Sequence, residues 1–309
     1  MTSAYNNVTV RHDFLLLLDV IDGNPNGDPD SGNLPRTDPE TMQGLITDVC
    51  IKRKVRNFVD AVMKGDKCYK IYVQNDGVTL NEQHRRAYTA CRIKSTGPKQ
   101  RLEDVRVVRQ WMCENFYDIR TFGAVMSTRI NCGQVRGPIQ MTFARSIDPV
   151  MPLDVTITRL AVTAGENLDS SAERGSTLKR NEMGKKAILP YALFRAYGFF
   201  NPTLAADTGF CEADLALFWR SLMEMWDWDR SAARGLMSCR QLYVFTHANV
   251  YGSVSAERLF SSVNICRRSG VAVARSISDY QITLATENIP PQVQVNELRC
   301  ELSQRGAGA

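Results

Sequence analysis

A chain of 309 residues has the length for one elaborated domain or two smaller ones. Its 44% apolar and 23% charged residues are the balance of a soluble globular protein. No apolar run is long enough to span a membrane, and Met1 to Asn7 does not lead into a basic-then-apolar signal, so a cytoplasmic chain with no membrane contact is expected. The nine cysteines contain no C-x-x-C pair and histidines number only three, which argues against a closed zinc site; reduced thiols and no metal or cofactor are expected. The net charge of +5 is unevenly spread. His84 to Arg109 holds eight Lys/Arg against two acids, Ala172 to Lys186 five against two, and Asp207 to Asp229 six acids against Arg220 alone. A basic side and an acidic side suggest a polyanionic ligand and a charged contact between protein copies.

In chain order, Arg11 to Val20 reads as a strand whose four consecutive leucines imply burial on both faces. Asp22 to Asp38 follows, rich in Gly, Pro, Asn and Asp, and so is a loop of prescribed shape. Thr37-x-x-Glu40 has the spacing of a capping box, and the helix after it is firm from Leu45 to Met63. On that helix Ile51, Val55, Phe58 and Val62 share an apolar stripe, while Lys52, Arg53 and Arg56 share another side with Lys54 apart from them. Those cations read equally well as a solvated face; the loop beside them favours a phosphate ligand.

Asp66 to Tyr117 has the character of an insertion with exposed cations, including a basic helix from Leu102 to Trp111. Gln134 to Phe143 alternates as a half-buried strand, Val135, Ile139, Met141 and Phe143 on one face, with Gly137-Pro138 marking a bulge or edge. Leu153 to Val162 is a further strand. Thr163 to Lys186 is almost devoid of apolar residues yet sits between structured segments, which fits a protruding hairpin. Helices are expected over Ile188 to Phe200 and Glu212 to Trp226, strands over Gln241 to His247 and Ile277 to Leu284, and a partly disordered tail over 286–309. With insertions set aside the order is β-α-β-β-α-β, an α+β fold of the RRM-like (ferredoxin-like, split βαβ) kind.

Several stretches together resemble one family: Asn24-Pro25-Asn26-Gly27-Asp28-Pro29, Leu34-Pro35-Arg36-Thr37-Asp38, Thr47 to Arg56, Asp118-Ile119-Arg120-Thr121-Phe122-Gly123 and Gly133 to Gln140. They are similar to the backbone subunit of type I CRISPR Cascade complexes. Phe143 to Pro149 and Lys185 to Tyr191 resemble the type I-C branch in particular. The resemblance implies a palm of the RAMP superfamily over 8–285, interrupted by a finger insertion at 66–117 and a thumb β-hairpin at 163–186. It implies a non-catalytic subunit that polymerises head to tail along crRNA as a helical filament, flips out one nucleotide at regular intervals, and presents the rest for pairing with target DNA in antiviral defence. The implied partners are crRNA, target DNA through the guide heteroduplex, further copies of the chain, and other Cascade subunits (pincer or 5′-handle-binding, large and small).

A guide holder must bind without reading the spacer, so its contacts belong on phosphates and 2′-hydroxyls. The candidates are Asn24, Asn26 and Arg36 in the loop; Thr47, Lys52, Arg53 and Arg56 on the helix; Gln134, Arg136 and Arg145 on the strands. On the thumb they are Lys179, Arg180, Lys185 and Lys186, with Met183 or Leu178 as the apolar wedge. Pro25, Gly27 and Pro29 are assigned to loop shape. Two rival functions fit the sequence less well. A RAMP-type endoribonuclease acting on guide precursors needs an acid and a base near a phosphate, but none of His12, His84 and His247 is expected next to another candidate, so no constellation forms, and Asp28, Asp30 and Asp38 read better as turn residues than as metal ligands. A nucleotide-binding enzyme would need a phosphate-loop motif, and neither G-x-x-x-x-G-K-[ST] nor G-x-G-x-x-G follows the first strand.

Overall fold

A computed structural model describes residues 3–74, 77–159 and 182–299. The first strand, β1 (His12–Gly23), leads through two short strands, β2 (Gly27–Asp28) and β3 (Leu34–Pro35), to β4 (Gln43–Ile46) and helix α1 (Asp48–Val62). Next come α2 (Leu80–Ala90), α3 (Leu102–Asn115), α4 (Tyr117–Phe122) and the hairpin β5 (Gly123–Ser127)–β6 (Asn131–Arg136). The chain then forms β7 (Ile139–Met141), β8 (Ala144–Pro149), β9 (Leu153–Arg159) and the long β10 (Glu182–Phe200). It closes with α5 (Pro202–Thr208), α6 (Glu212–Trp228), β11 (Leu236–His247), α7 (Ala256–Ser261), β12 (Val263–Arg267), β13 (Tyr280–Leu284) and β14 (Val293–Leu298).

The central antiparallel sheet runs β14-β11-β1-β10-β8-β4, with β7 and β9 also pairing on β10. Phe14 to Leu18 are all fully buried, as the leucine run predicted, because alternate residues enter two different cores. Phe14, Leu16, Leu18 and Val20 pack under α1 and α6 with Phe218 and Trp219. Leu15 and Leu17 point the other way, into a layer built from Tyr243, Phe245, α7 and the β12–β13 ribbon. A third cluster, including Tyr72, Tyr88, Met112, Met126 and Cys132, belongs to the insertion and extends beyond Tyr117 to take in β5 and β6.

Several expected elements differ. Ile188 to Phe200 is part of a strand, not a helix: it pairs with β1 from His12↔Phe200 to Gly23↔Leu189. Its apolar residues serve both faces, Leu189, Ala192, Phe194 and Ala196 one core and Tyr191, Leu193, Tyr197 and Phe199 the other, so its sequence lacks the polar–apolar alternation that marks a half-exposed strand. Pro190 is tolerated because the ladder is interrupted there, opposite Asp22 at φ +48°. Thr37 and Glu40 cap no helix; Thr37 bridges to Gly44, Asp38 takes the amides of Glu40 and Thr41, and residues 43–46 form β4. Gln134 to Phe143 is two strands in different sheets, broken at Gly137-Pro138, and Phe143 is 50% exposed rather than buried. Ile277 to Asp279 is a 3₁₀ turn ahead of β13. The segment after 285, expected as a partly disordered tail, contributes β14 to the edge of the main sheet; residues 300–309 lie outside the described residues.

Candidate nucleic-acid interface

The loop between β1 and β4 is held from both sides. A Cβ on Gly23 would sit 1.9 Å from the Arg234 carbonyl, so only glycine lets β1 pass residues 234–235. Asn24 is buried; its amide donates to Ala233 O at 2.8 Å and its side-chain Nδ2 to Asn33 O at 2.7 Å. Asn26 Oδ1 accepts from both the amide (2.9 Å) and the hydroxyl (3.0 Å) of Thr47, whose oxygen in turn accepts from Cys50 N at 3.2 Å. Thr47 is therefore the N-cap of α1, and Asn26 fixes the cap. Asn24 and Asn26, expected as ligand contacts, also help to build the loop, a role the sequence reading gave to Pro25, Gly27 and Pro29. Arg36 lies 3.5 Å from Asp28, and Asp28 also accepts from Asp30 N, which is turn chemistry rather than metal ligation.

The helix cations are engaged within the chain. Lys52 pairs with Asp48 at 2.9 Å, the i,i+4 pair expected from the sequence. Arg53 donates to Val73 O at 2.6 Å. Arg56 donates to Asp118 at 2.8 Å, and Asp118 also accepts the amides of Tyr72 and Val73. Lys54, which stood apart on the helical projection, is buried against Asp229 at 2.5 Å. The face that sequence offered to phosphates thus ties α1 to the insertion, and Lys54 ties it to the segment after α6.

Other candidates are more open. Gln134 and Arg136 are exposed on β6, away from the main sheet. Arg145 is 52% exposed on β8 and pairs with Asp38 at 2.7 Å, which holds the Asp38 carboxyl below its ordinary range. Lys185 is exposed on the stem that β9 and β10 form, and Lys186 donates to Ala232 O. Lys179, Arg180 and Leu178 lie outside the described residues, as does the side chain of Met183.

Residues 10–285 match the family model described as CRISPR-associated protein Cas7. The chain belongs to the Cas7 family. It is 27% identical over 237 residues to the CRISPR-associated protein Cas7 of Haloferax volcanii (strain ATCC 29605 / DS2), covering 69% of this chain and 64% of that protein. The chain therefore spans somewhat less than two thirds of that curated relative. Among solved structures it is similar to a chain of a CRISPR RNA-guided surveillance complex in a pre-nicking state, with TM-score 0.49 and 12% identity over 76% of this chain and 78% of that one. A chain of a second CRISPR RNA-guided surveillance complex gives 0.44 and 14% over 76% and 68%, and one of a Type III-B Cmr-beta complex bound to cognate target RNA gives 0.41 and 14% over 76% and 61%.

In this Cas7-family chain the Asp118 to Gly123 stretch is an anchor. Arg120 meets Asp214 through two hydrogen bonds of 2.9 and 2.8 Å, both side chains buried, and its guanidinium lies 4.8 Å from the Tyr69 ring and 5.3 Å from Tyr117. Gly123, at φ +82°, and Gly137 approach so closely that a Cβ on either would overlap the other strand's backbone. None of these roles was visible in sequence, because the partners stand far apart along the chain. The histidines need a correction too: His12 and His247 share one fully buried cluster. His12 contacts Thr246 Oγ1 at 3.0 Å and Asn7 O at 2.7 Å, and His247 meets Asp13 at 2.9 Å. His84 lies in the insertion, 2.8 Å from the Tyr72 hydroxyl. Burial pushes His12 down to about 4 and lowers His84 as well. Among the described residues no helix is long and apolar enough to cross a membrane, and no three His, Cys, Asp or Glu side chains gather as metal ligands.

Proposed function

We propose that this Cas7-family chain is a crRNA-binding backbone subunit of a type I-C CRISPR Cascade complex, without catalysis of its own. In this reading it repeats head to tail along the guide and holds it for pairing with target DNA beside the other Cascade subunits. The strand order β11-β1-β10-β8, with α1 and α6 on one face, is the 4-1-3-2 order of a split βαβ sheet and supports an RRM-like palm over the core of 8–285. Residues 66–117, with the β5–β6 hairpin, would be the finger. The β9–β10 stem would carry the thumb of 163–186 and its candidates Lys179, Arg180, Met183, Lys185 and Lys186.

The observation that carries this reading is the prebuilt loop from Gly23 to Asp38 in a chain whose residues 10–285 match Cas7. A loop whose asparagines are spent on its own shape presents a fixed surface beside the positive end of α1, which suits a phosphate backbone and is indifferent to base identity. The test is stoichiometry. Protein purified with RNA and sized on guides of increasing length should bind in rising copy number and fall to smaller species after nuclease treatment. One copy at every length would overturn the scaffold role. RNA fragments appearing with magnesium would point to cleavage instead.

A further inference from the structure

The sheet face opposite α1 and α6 carries a feature the guide-holding role does not use. In the register of β8 and β10, Arg145 stands directly opposite Arg195. Like charges paired across a sheet are destabilising, and only part of that cost is answered within the chain. Arg145 has Asp38. The Arg195 guanidinium lies 5.2 Å from the Tyr197 ring, and among the described residues no carboxylate is ion-paired with it. The two arginines line a cleft of about 610 Å³ together with Phe143, Thr142, Tyr197 and Ile265, a volume suited to a small-molecule site. Phe143 is 50% exposed at this cleft, and among the described residues no aromatic ring is stacked on it.

The sequence of β10 adds an independent argument. Arg195-Ala196-Tyr197-Gly198-Phe199 fits the opening of the RNP1 pattern, [K/R]-G-[F/Y]-[G/A]-F, at four of five positions. In RRM domains the aromatics of that strand stack on unpaired bases. Here Phe260 of α7 covers them, its ring 4.4 Å from Tyr197 and 5.8 Å from Phe199. The platform is closed over Tyr197 and Phe199 and open at its Arg195 end, where Phe143 supplies the uncovered ring.

We infer that this cleft binds one unpaired nucleotide, its phosphate between Arg145 and Arg195 and its base against Phe143. The phosphate relieves the cross-strand repulsion, and it competes with Asp38 for Arg145, so occupancy is coupled to the end of the β1–β4 loop. The inference rests on the proposed nucleic-acid role for the class of ligand.

The experiment uses the intact chain and fluorescein-labelled hexanucleotides of single-stranded RNA, single-stranded DNA and blunt duplex, read by anisotropy across a salt series. Phe143→Ala should weaken single-strand binding about tenfold with the salt slope unchanged, because a stacked ring contributes affinity without charge. Phe143→Trp should retain affinity. Arg195→Gln should lower the salt slope by about 1. Duplex binding should not respond to Phe143→Ala. A response confined to RNA assigns the cleft to RNA; a response shared by both single strands assigns it to any unpaired nucleotide. In the unsubstituted protein, a hexamer carrying 4-thiouridine should photo-crosslink within residues 142–147. Crosslinks only elsewhere, or single-strand affinities that ignore Phe143→Ala and Arg195→Gln while long RNA still recruits many copies, overturn the cleft and leave the scaffold standing. A Phe143-dependent single-strand affinity with one copy at every RNA length sinks the scaffold and leaves the cleft.

Discussion

Asn26 allows the loop's shape and its exposure to RNA to be tested separately. Its Oδ1 holds the amide and the hydroxyl of Thr47, and through that hydroxyl the amide of Cys50 at the start of α1. Asn26→Ala removes two acceptor bonds, each about 0.5–1.5 kcal/mol, and so should cost about 1–3 kcal/mol of stability. Asn26→Asp keeps an oxygen in the accepting position and adds a negative charge beside the α1 N-terminus, which should hold or raise stability by about 0.3–1 kcal/mol. The same charge opposes a phosphate. With the phosphate about 7 Å away, Coulomb repulsion is about 0.6 kcal/mol at the dielectric of water and about 2.4 kcal/mol at an effective value of about 20. RNA affinity per subunit should therefore fall by about three- to sixty-fold. Thermal melts and RNA anisotropy at low and high salt read the two effects in one set of proteins. An Asn26→Asp protein that melts normally and binds RNA as tightly as the parent at low salt would refute the claim that the loop faces the backbone. An Asn26→Ala protein that melts normally would refute the claim that Asn26 builds the loop.

Arg120→Ala should cost about 3–5 kcal/mol, because it strands buried Asp214, whereas Arg120→Met with Asp214→Leu should recover most of that; denaturant midpoints and protease cleavage within 66–117 report it. Gly198→Ala would set a Cβ 1.9 Å from the Phe14 ring and should destabilise the sheet by about 1–3 kcal/mol, seen as a lowered Tm. His12 is depressed by burial to about 4, so the unfolded chain takes a proton at about 6.5 that the folded chain refuses until about 4. Its contribution of about 3 kcal/mol is fully present above pH 6.5 and is lost as pH falls toward 4. His12→Gln should flatten acid denaturation across that window.

What could be read in the sequence was what local pattern determines. The Leu15 to Leu18 run identified a strand buried on both faces, and the Gly, Pro, Asn and Asp of 22–38 identified a shaped loop. β10 shows no period of two because apolar residues serve both its faces, and its aromatic and small residues suit a buried helix equally well. The site failed to resolve for a different reason. Which cations are free depends on partners 62 residues away for Arg56 and 175 for Lys54, and no spacing rule reaches that far. Phe143 was assigned to a core because alternation was carried through Gly137-Pro138, where the chain changes sheets.

The pairing of the α1 cations bears on how the proposed guide binding could work. A cation already 2.5–2.9 Å from a carboxylate contributes little potential at a Debye length, so Lys52, Lys54 and Arg56 add less to counterion release than their charges suggest. Exposed cations with no ion pair among the described residues include Arg136 on β6, Lys185 on the β9–β10 stem, and Arg86, Arg92, Arg101, Arg106 and Arg109 in the insertion. With Arg145 and Arg195, which line the cleft on the sheet's outer face, they are spread over the insertion, β6 and the sheet rather than gathered on α1. A surface of that kind grips weakly at each point and over a long track. That is the behaviour the proposed guide holder would require, since a subunit that bound too tightly to one stretch would resist registering with its neighbours along the strand.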